Sequence, residues 1–215
     1  MKDYTDLNTH ISEPQLFEYI AKLGFSKIAS ENIRQHPSID VVSRLDITPK
    51  NPNILLQSLK KNRWEYEVIS VTCFAKSVAR QAGRDHRIDI VKFPLNSPIN
   101  FDYHQANLMR NTGSALEIEI RHLLEEDHLR LDKNIQQLGK QVRVAGRSGI
   151  PIILTSGAYS EYQLRTPSAI IALASLLEIE EQHAERMITE IPNRIIHRNR
   201  ARLSEKFVKP GVWLV

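Results

Sequence analysis

At 215 residues, with 41% hydrophobic and 25% charged side chains, the chain is long enough for one large core and too apolar for a disordered polymer. Its single cysteine, Cys73, excludes an intrachain disulfide and a thiolate metal cage, and implies a reducing setting. The N-terminal run Met1-Lys2-Asp3-Tyr4-Thr5-Asp6 has no apolar stretch behind a basic start, and the apolar run from Ile170 to Leu177 is broken by Ser175, so neither secretion nor a membrane partner is expected and the location predicted is cytoplasmic.

The net charge of +4 is unevenly spread. Residues 190–215 carry six cations, Arg194, Arg198, Arg200, Arg202, Lys206 and Lys209, against Glu190 and Glu205. A second basic stretch, from Lys76 to Lys92, carries five cations against Asp85 and Asp89, while Glu117 to Asp132 holds six acids against Arg121 and Arg130. Segregated positive regions of this kind suit a polyanionic partner, although charge runs are often no more than solvated faces.

In chain order, β-branched segments alternate with amphipathic ones. Strands are predicted at Tyr4 to Leu7, Lys27 to Ala29, Val41 to Ile47, Glu67 to Thr72, Ile88 to Phe93, Ala115 to Ile118 and Ile150 to Thr155. After the first strand, Ser12-Glu13-Pro14-Gln15 has the form of a capping box with proline in the first turn; Leu16, Ile20 and Leu23 then share a face before Gly24. Ile135, Leu138, Val142 and Ala145 form a second helical stripe, and Thr166-Pro167 opens a third helix. With no internal repeat and no long linker, the alternation predicts one domain over 1–215 ending in the basic segment 190–215, folded as a TIM-like βα barrel of seven to eight parallel strands; an open doubly wound sheet has the same local signature.

In such a barrel, chemistry and binding lie at the strand C-termini. The polar residues expected there are Asp6, Asn8, His10, Glu117 and Ser156, with Arg44, Asp46 and Lys92 nearby. Asp6-Leu7-Asn8-Thr9-His10 is similar to the first metal motif of the polymerase-and-histidinol-phosphatase superfamily, but Asn8 stands at the first of its two histidine positions, and an amide oxygen is a poor substitute for imidazole on a transition metal. Thr155-Ser156-Gly157-Ala158 ahead of Arg165-Thr166-Pro167 is a plausible phosphate loop, with tight backbone packing at Gly157 as the plain alternative; no Gly-x-Ser-x-Gly elbow surrounds Ser156. Arg80 and Arg84 would share a helical face and clamp a phosphate unless Asp85 and Asp89 neutralise these arginines. The glutamates at 178, 180, 181 and 185 offer a counterweight to the basic tail. Few aromatic residues neighbour the basic segments, which argues against ring stacking as the main mode of contact with a polyanionic partner. A dinucleotide fingerprint, a Walker loop and a zinc helix are all missing, which argues against a conventional cofactor enzyme.

Taken in order, the blocks Tyr4-Thr5-Asp6-Leu7-Asn8, Glu67 to Val71, Arg84 to Pro94, Ala115 to Ile118, and Ile152 to Ala158 followed by Arg165-Thr166-Pro167 resemble the archaeal ribonuclease P protein component 3 family, the archaeal form of the thirty-kilodalton subunit family. The resemblance implies a barrel without the superfamily's metal site. It also implies a ribonucleoprotein endonuclease that removes the 5′ leader from precursor tRNA, in which the catalytic RNA, with its magnesium ions, hydrolyses the phosphodiester. Ribonuclease P RNA, precursor tRNA, protein component 2 and other subunits are the partners implied, with no cofactor, catalytic residue or metal on this chain. Arg44, Lys76, Arg80, Arg84, Arg87, Lys92, Arg147 and Arg165 are then the expected phosphate contacts. Two alternatives stay open: a metal-dependent phosphoesterase centred on Asp6, His10 and Glu117, and a barrel holding a small phosphorylated metabolite at Ser156-Gly157-Ala158.

Overall fold

The computed structural model describes residues 2–11 and 13–204, together with the backbone of 207–209 and 212–213. Its centre is a seven-stranded, all-parallel sheet whose spatial order is the chain order: β1 (Thr5–Asp6), β2 (Lys27–Ser30), β3 (Asp40–Ile47), β4 (Val68–Thr72), β5 (Ile90–Lys92), β6 (Ala115–Glu119) and β7 (Ile152–Thr155). All seven predicted strands are present, with ends shifted by a residue or two. Among the described residues no eighth strand pairs into this sheet; β8 (Phe207–Lys209) and β9 (Val212–Trp213) form a separate antiparallel pair.

The strands read as near-continuous apolar runs because both of their faces are covered. Inside the barrel, Leu7, Ala29, Val42, Val68, Ile90, Ala115 and Ile153 make a small apolar layer; outside, a larger core lies between sheet and helices. The helices are α1 (Pro14–Lys22), α2 (Pro52–Asn62), α3 (Lys76–Ala82), α4 (Tyr103–Met109), α5 (His128–Ser148), α6 (Pro167–Ala174), α7 (Glu181–Ile188) and α8 (Glu190–Leu203). Their starts follow capping chemistry. Asn51, Asp102 and Thr166 each accept a backbone N–H at the start of α2, α4 and α6, and Asp127 accepts those of Leu129 and Arg130 in α5. At the other end of α5, Gly149 takes the left-handed conformation that lets the chain turn into β7. The predicted stripe on α5 holds: Leu138, Val142 and Ala145 are buried and Ile135 packs at the margin. The first residue of α1 is Pro14 with Glu13 at the N-cap; Ser12 lies outside the described residues.

β7 and β1 themselves do not pair; closure is made by an isolated parallel bridge between Thr9 and Ala158. Past the strand ends, Gly157 donates its N–H to the Asn8 carbonyl and His10 donates to the Ala158 carbonyl, both at 2.9 Å. At the opposite end, α8 packs against β1, β4 and β7 and places Ile195 and Ile196 on the interior apolar layer, so the helix is the floor of the barrel. Among the described residues no helix is long and apolar enough to cross a membrane.

Two cations of the basic tail are therefore structural. Arg198 donates to Asp89 at 2.8 Å, and Arg200 forks onto both Asp40 oxygens at 2.7 Å while also bonding Glu67. The expected counterweight is corrected: Asp40, Glu67 and Asp89 pair with these arginines, whereas Glu178 bonds Arg143 and Glu185 bonds Lys2. Side chains beyond 204 lie outside the described residues.

Candidate functional site

The strand C-termini open onto a cavity of about 740 Å³ whose wall includes His10, Asp46, Thr72, Phe74, Lys92, Glu117, Glu119, Arg121, His122, Arg130, Lys133 and Tyr159. Strand periodicity explains its floor. Glu117 and Glu119 are two apart on β6, so both point inward, as do Arg44 and Asp46 on β3.

Arg44 is the centre of the lower tier. It lies 2% exposed and donates to Glu117 (2.7 Å to Oε2), to both oxygens of Asp46 (2.8 and 2.9 Å) and to the Leu7 carbonyl. Thr155 donates to Glu117 Oε1 at 2.9 Å. Burial alone would push the Asp46 carboxyl up, but the adjacent guanidinium outweighs it and holds the group at about 2. Burial opposes charge on Lys92 as well, and Glu117 and Glu119 overcome it, raising the ammonium above its usual value.

Glu119 is the centre of the upper tier. It accepts from Lys92 (2.9 Å), Arg121 (2.8 Å) and Asn8 (3.1 Å), with His122 Nε2 at 3.2 Å. These partners outweigh its burial and hold the carboxyl far below the usual range. Above it, the rings of His10 and Tyr159 stack 4.1 Å apart, and the Arg121 guanidinium lies 5.1 Å from the Tyr159 centroid.

Asp6, beside the closing seam, behaves differently. Its Oδ1 accepts the backbone N–H groups of Asn8 and Ser156, both at 3.1 Å, while Oδ2 is buried with no hydrogen-bond partner. Burial pushes this carboxyl up to about 6 against the lowering effect of those hydrogen bonds. Because the folded value exceeds the unfolded one, the folded state binds the extra proton. This group's contribution therefore favours folding at acid pH and is lost as pH rises from about 4 to about 6. The stability difference between wild type and Asp6→Asn, followed by urea unfolding from pH 4 to pH 7, should fall along that window; a flat difference would mean that Oδ2 is solvated.

The predicted site residues divide into three groups. Asp6, Asn8, His10, Glu117 and Ser156 do meet at the mouth, but Ser156-Gly157-Ala158 is not a phosphate cradle. Its N–H groups go to Asp6, to the Asn8 carbonyl and to Ser156 Oγ, and a side chain at Gly157, where φ is +61°, would lie 3.0 Å from the Glu119 Cβ. The plain alternative, tight packing, is what the structure contains. Arg44 is corrected from phosphate contact to buried structural cation, since its donors are directed inside the barrel. Lys92 bonds Glu119, Arg80 forks onto Asp102 at 2.8 Å, Arg87 onto Asp85 at 2.7 and 2.9 Å, and Arg165 donates to the Tyr162 and Leu164 carbonyls. Arg84 falls beyond Gly83, the C-cap of α3, so it does not continue the helical face of Arg80. Lys76, Arg84 and Arg147 are exposed; Arg147 donates to the Tyr103 hydroxyl at 3.5 Å.

Glu119, Arg121, His122, Tyr159, Phe74 and Lys133 were not expected at the site. The Glu117-x-Glu119 alternation on a strand was the signal available for the first of them. The mouth also brings aromatic rings next to cations from distant segments, which revises the expectation drawn from local sequence. The metal-centred alternative is not favoured by this geometry. Arg44 and Thr155 engage Glu117, backbone N–H groups engage Asp6 Oδ1, and among the described residues no three His, Cys, Asp or Glu side chains are grouped to hold an ion.

The fold and its mouth thus define a TIM-like βα barrel whose polar centre is an internal network of ion pairs. The family model for RNase P subunit p30 matches residues 6–204, and the chain belongs to that family: it is a protein subunit of ribonuclease P, an endoribonuclease complex. Ribonuclease P protein component 3 of Methanosarcina barkeri is 28% identical over 198 residues, covering 86% of this chain and 83% of that protein. The component 3 protein of Methanosarcina mazei is also 28% identical, over 202 residues, covering 88% and 84%. A chain in the cryo-EM structure of archaeal ribonuclease P with mature tRNA superposes with a TM-score of 0.85 at 20% identity, covering 98% of this chain and 97% of that one, and so shares its fold.

Proposed function

We propose that the chain serves ribonuclease P as a rigid RNA-binding scaffold, leaving phosphodiester cleavage to the RNA and its magnesium ions. The observation that carries this reading is the contrast between mouth and surface. The mouth carboxylates are neutralised or hydrogen-bonded within the protein, whereas Lys76 and Arg84 are exposed with no hydrogen-bond or ion-pair partner among the described residues. Arg147, on α5, is exposed as well, and α4 packs against both α3 and α5. Cations presented this way offset phosphate repulsion without reading base sequence. Arg80, Arg87, Lys92 and Arg165 take part only by exchanging their internal partners. The protein itself carries no cofactor in this reading, and its partners are the ribonuclease P RNA, precursor tRNA, protein component 2 and further subunits.

Reconstitution tests the proposal. Precursor tRNA cleavage by the catalytic RNA at low magnesium should be stimulated by this chain together with component 2; no stimulation removes the scaffold role. Replacing Lys76 and Arg84 with alanine should flatten the slope of log affinity against log salt by about one for each phosphate that is no longer neutralised, whereas an unchanged slope takes both residues off the interface.

A further inference from the structure

Asp46, Glu117 and Glu119 are ion-paired in the mouth, while Glu125, which also lines it, accepts only the Asp127 N–H, at 3.5 Å, among the described residues. Lys133, on α5, is exposed with no hydrogen-bond or ion-pair partner among the described residues, and Arg130, whose side chain is 72% exposed, has only Asp127 at 3.8 Å. Across the same cavity Phe74, just past β4, is 50% exposed, and no ring stacks on it among the described residues. Tyr159, 60% exposed, is held upright by its stack on His10. An exposed aromatic ring that shares a cavity with exposed cations is an arrangement that takes a nucleobase and its phosphate together. The cavity volume of about 740 Å³ lies within the range of sites that enclose small molecules, so one nucleotide fits while a duplex does not.

We propose that the barrel mouth receives a single unpaired nucleotide of an RNA, its base on the Phe74 ring and its phosphate at Lys133 and Arg130. The proposal rests on the RNA-binding reading above and names one site for it. Glu117 and Glu119, which would repel a phosphate if bare, are covered by Arg44, Lys92 and Arg121, so the floor is electrostatically tolerant of an anion. The pocket is then a reader of single-stranded character, separate from phosphate contacts on the outer helices.

Anisotropy titrations of the full chain with an unstructured RNA tetranucleotide, a blunt RNA duplex and adenosine monophosphate test it. Phe74→Ala should weaken tetranucleotide binding at least about tenfold and leave duplex binding unchanged. Lys133→Ala should weaken it too and lower the salt slope by about 0.7. Melting temperatures of both variants should match wild type, since both side chains are exposed. Tetranucleotide affinity untouched by Phe74→Ala, or equal losses on tetranucleotide and duplex, overturns the proposal. Adenosine monophosphate binding as tightly as the tetranucleotide also overturns it, by assigning the cavity to a free metabolite. The two readings fail separately: absent stimulation in the reconstituted enzyme removes the scaffold role, whereas full stimulation with Phe74-independent tetranucleotide binding removes only the mouth site.

Discussion

Arg44→Ala should lower the free energy of unfolding by about 3–5 kcal/mol, one of the two largest single-site losses expected in this barrel. The substitution leaves Glu117, fully buried, with the Thr155 hydroxyl as its remaining hydrogen-bond donor and Lys92 as a nearby charge, and frees Asp46 from the cation that fixes its ionised form. A buried pair is costly to assemble and more costly to halve, because the survivor keeps its desolvation penalty and loses its attraction. Urea unfolding at pH 7 measures the loss. Replacing both partners, as Arg44→Met with Glu117→Leu, should recover most of it, and a single-variant loss under about 1 kcal/mol would mean that water reaches the floor of the mouth.

The second large effect lies at the other end of the barrel. Asp89 is fully buried, and its Oδ1 accepts from Arg198 (2.8 Å) and Asn199 (2.7 Å) while Oδ2 accepts from Arg63 (3.1 Å) and the Ile69 N–H (3.0 Å). One carboxylate thereby ties β4, β5 and the C-terminus of α2 to α8. Asp89→Ala leaves the buried Arg63 guanidinium without its anion and is expected to cost about 3–5 kcal/mol, or about 10 °C in melting temperature for a chain of this length. Asp89→Asn should cost less, since it keeps one acceptor. A melting temperature within about 2 °C of wild type for Asp89→Ala would show that α8 is held by Ile195, Ile196 and the Arg200 pairs without help from Asp89.

Much of the barrel is legible in the chain because parallel strands covered on both faces must be apolar and β-branched, and Val41 to Ile47 or Ile150 to Thr155 cannot be read otherwise. Capped helices with a wide apolar stripe, such as α5, are equally plain. What local reading misses is pairing across sequence. Arg198 and Asp89 are separated by 109 positions, so a helix that forms the barrel floor has the composition of a solvated basic tail. The mouth shows the same limit: Phe74, Lys133 and Tyr159 come from three separate crossovers, and only closure of the sheet makes them neighbours. Arg44 stood in an ordinary strand pattern, and nothing local tells a buried guanidinium from an exposed one.

The floor helix also sets the timing of folding. Its isoleucines cover Leu7 and Val42, which leave the ribosome roughly 190 and 150 residues earlier, so this interior must stay wet until almost all of the sequence has been synthesised. Successive strands can zip together one after another as they emerge, each beside its predecessor, but the last cooperative step waits for α8. Commitment to the native barrel is consequently a late, all-or-none event, and a messenger truncated before α8 would release a product with its greasy lumen open at one end, an obvious target for quality-control proteases.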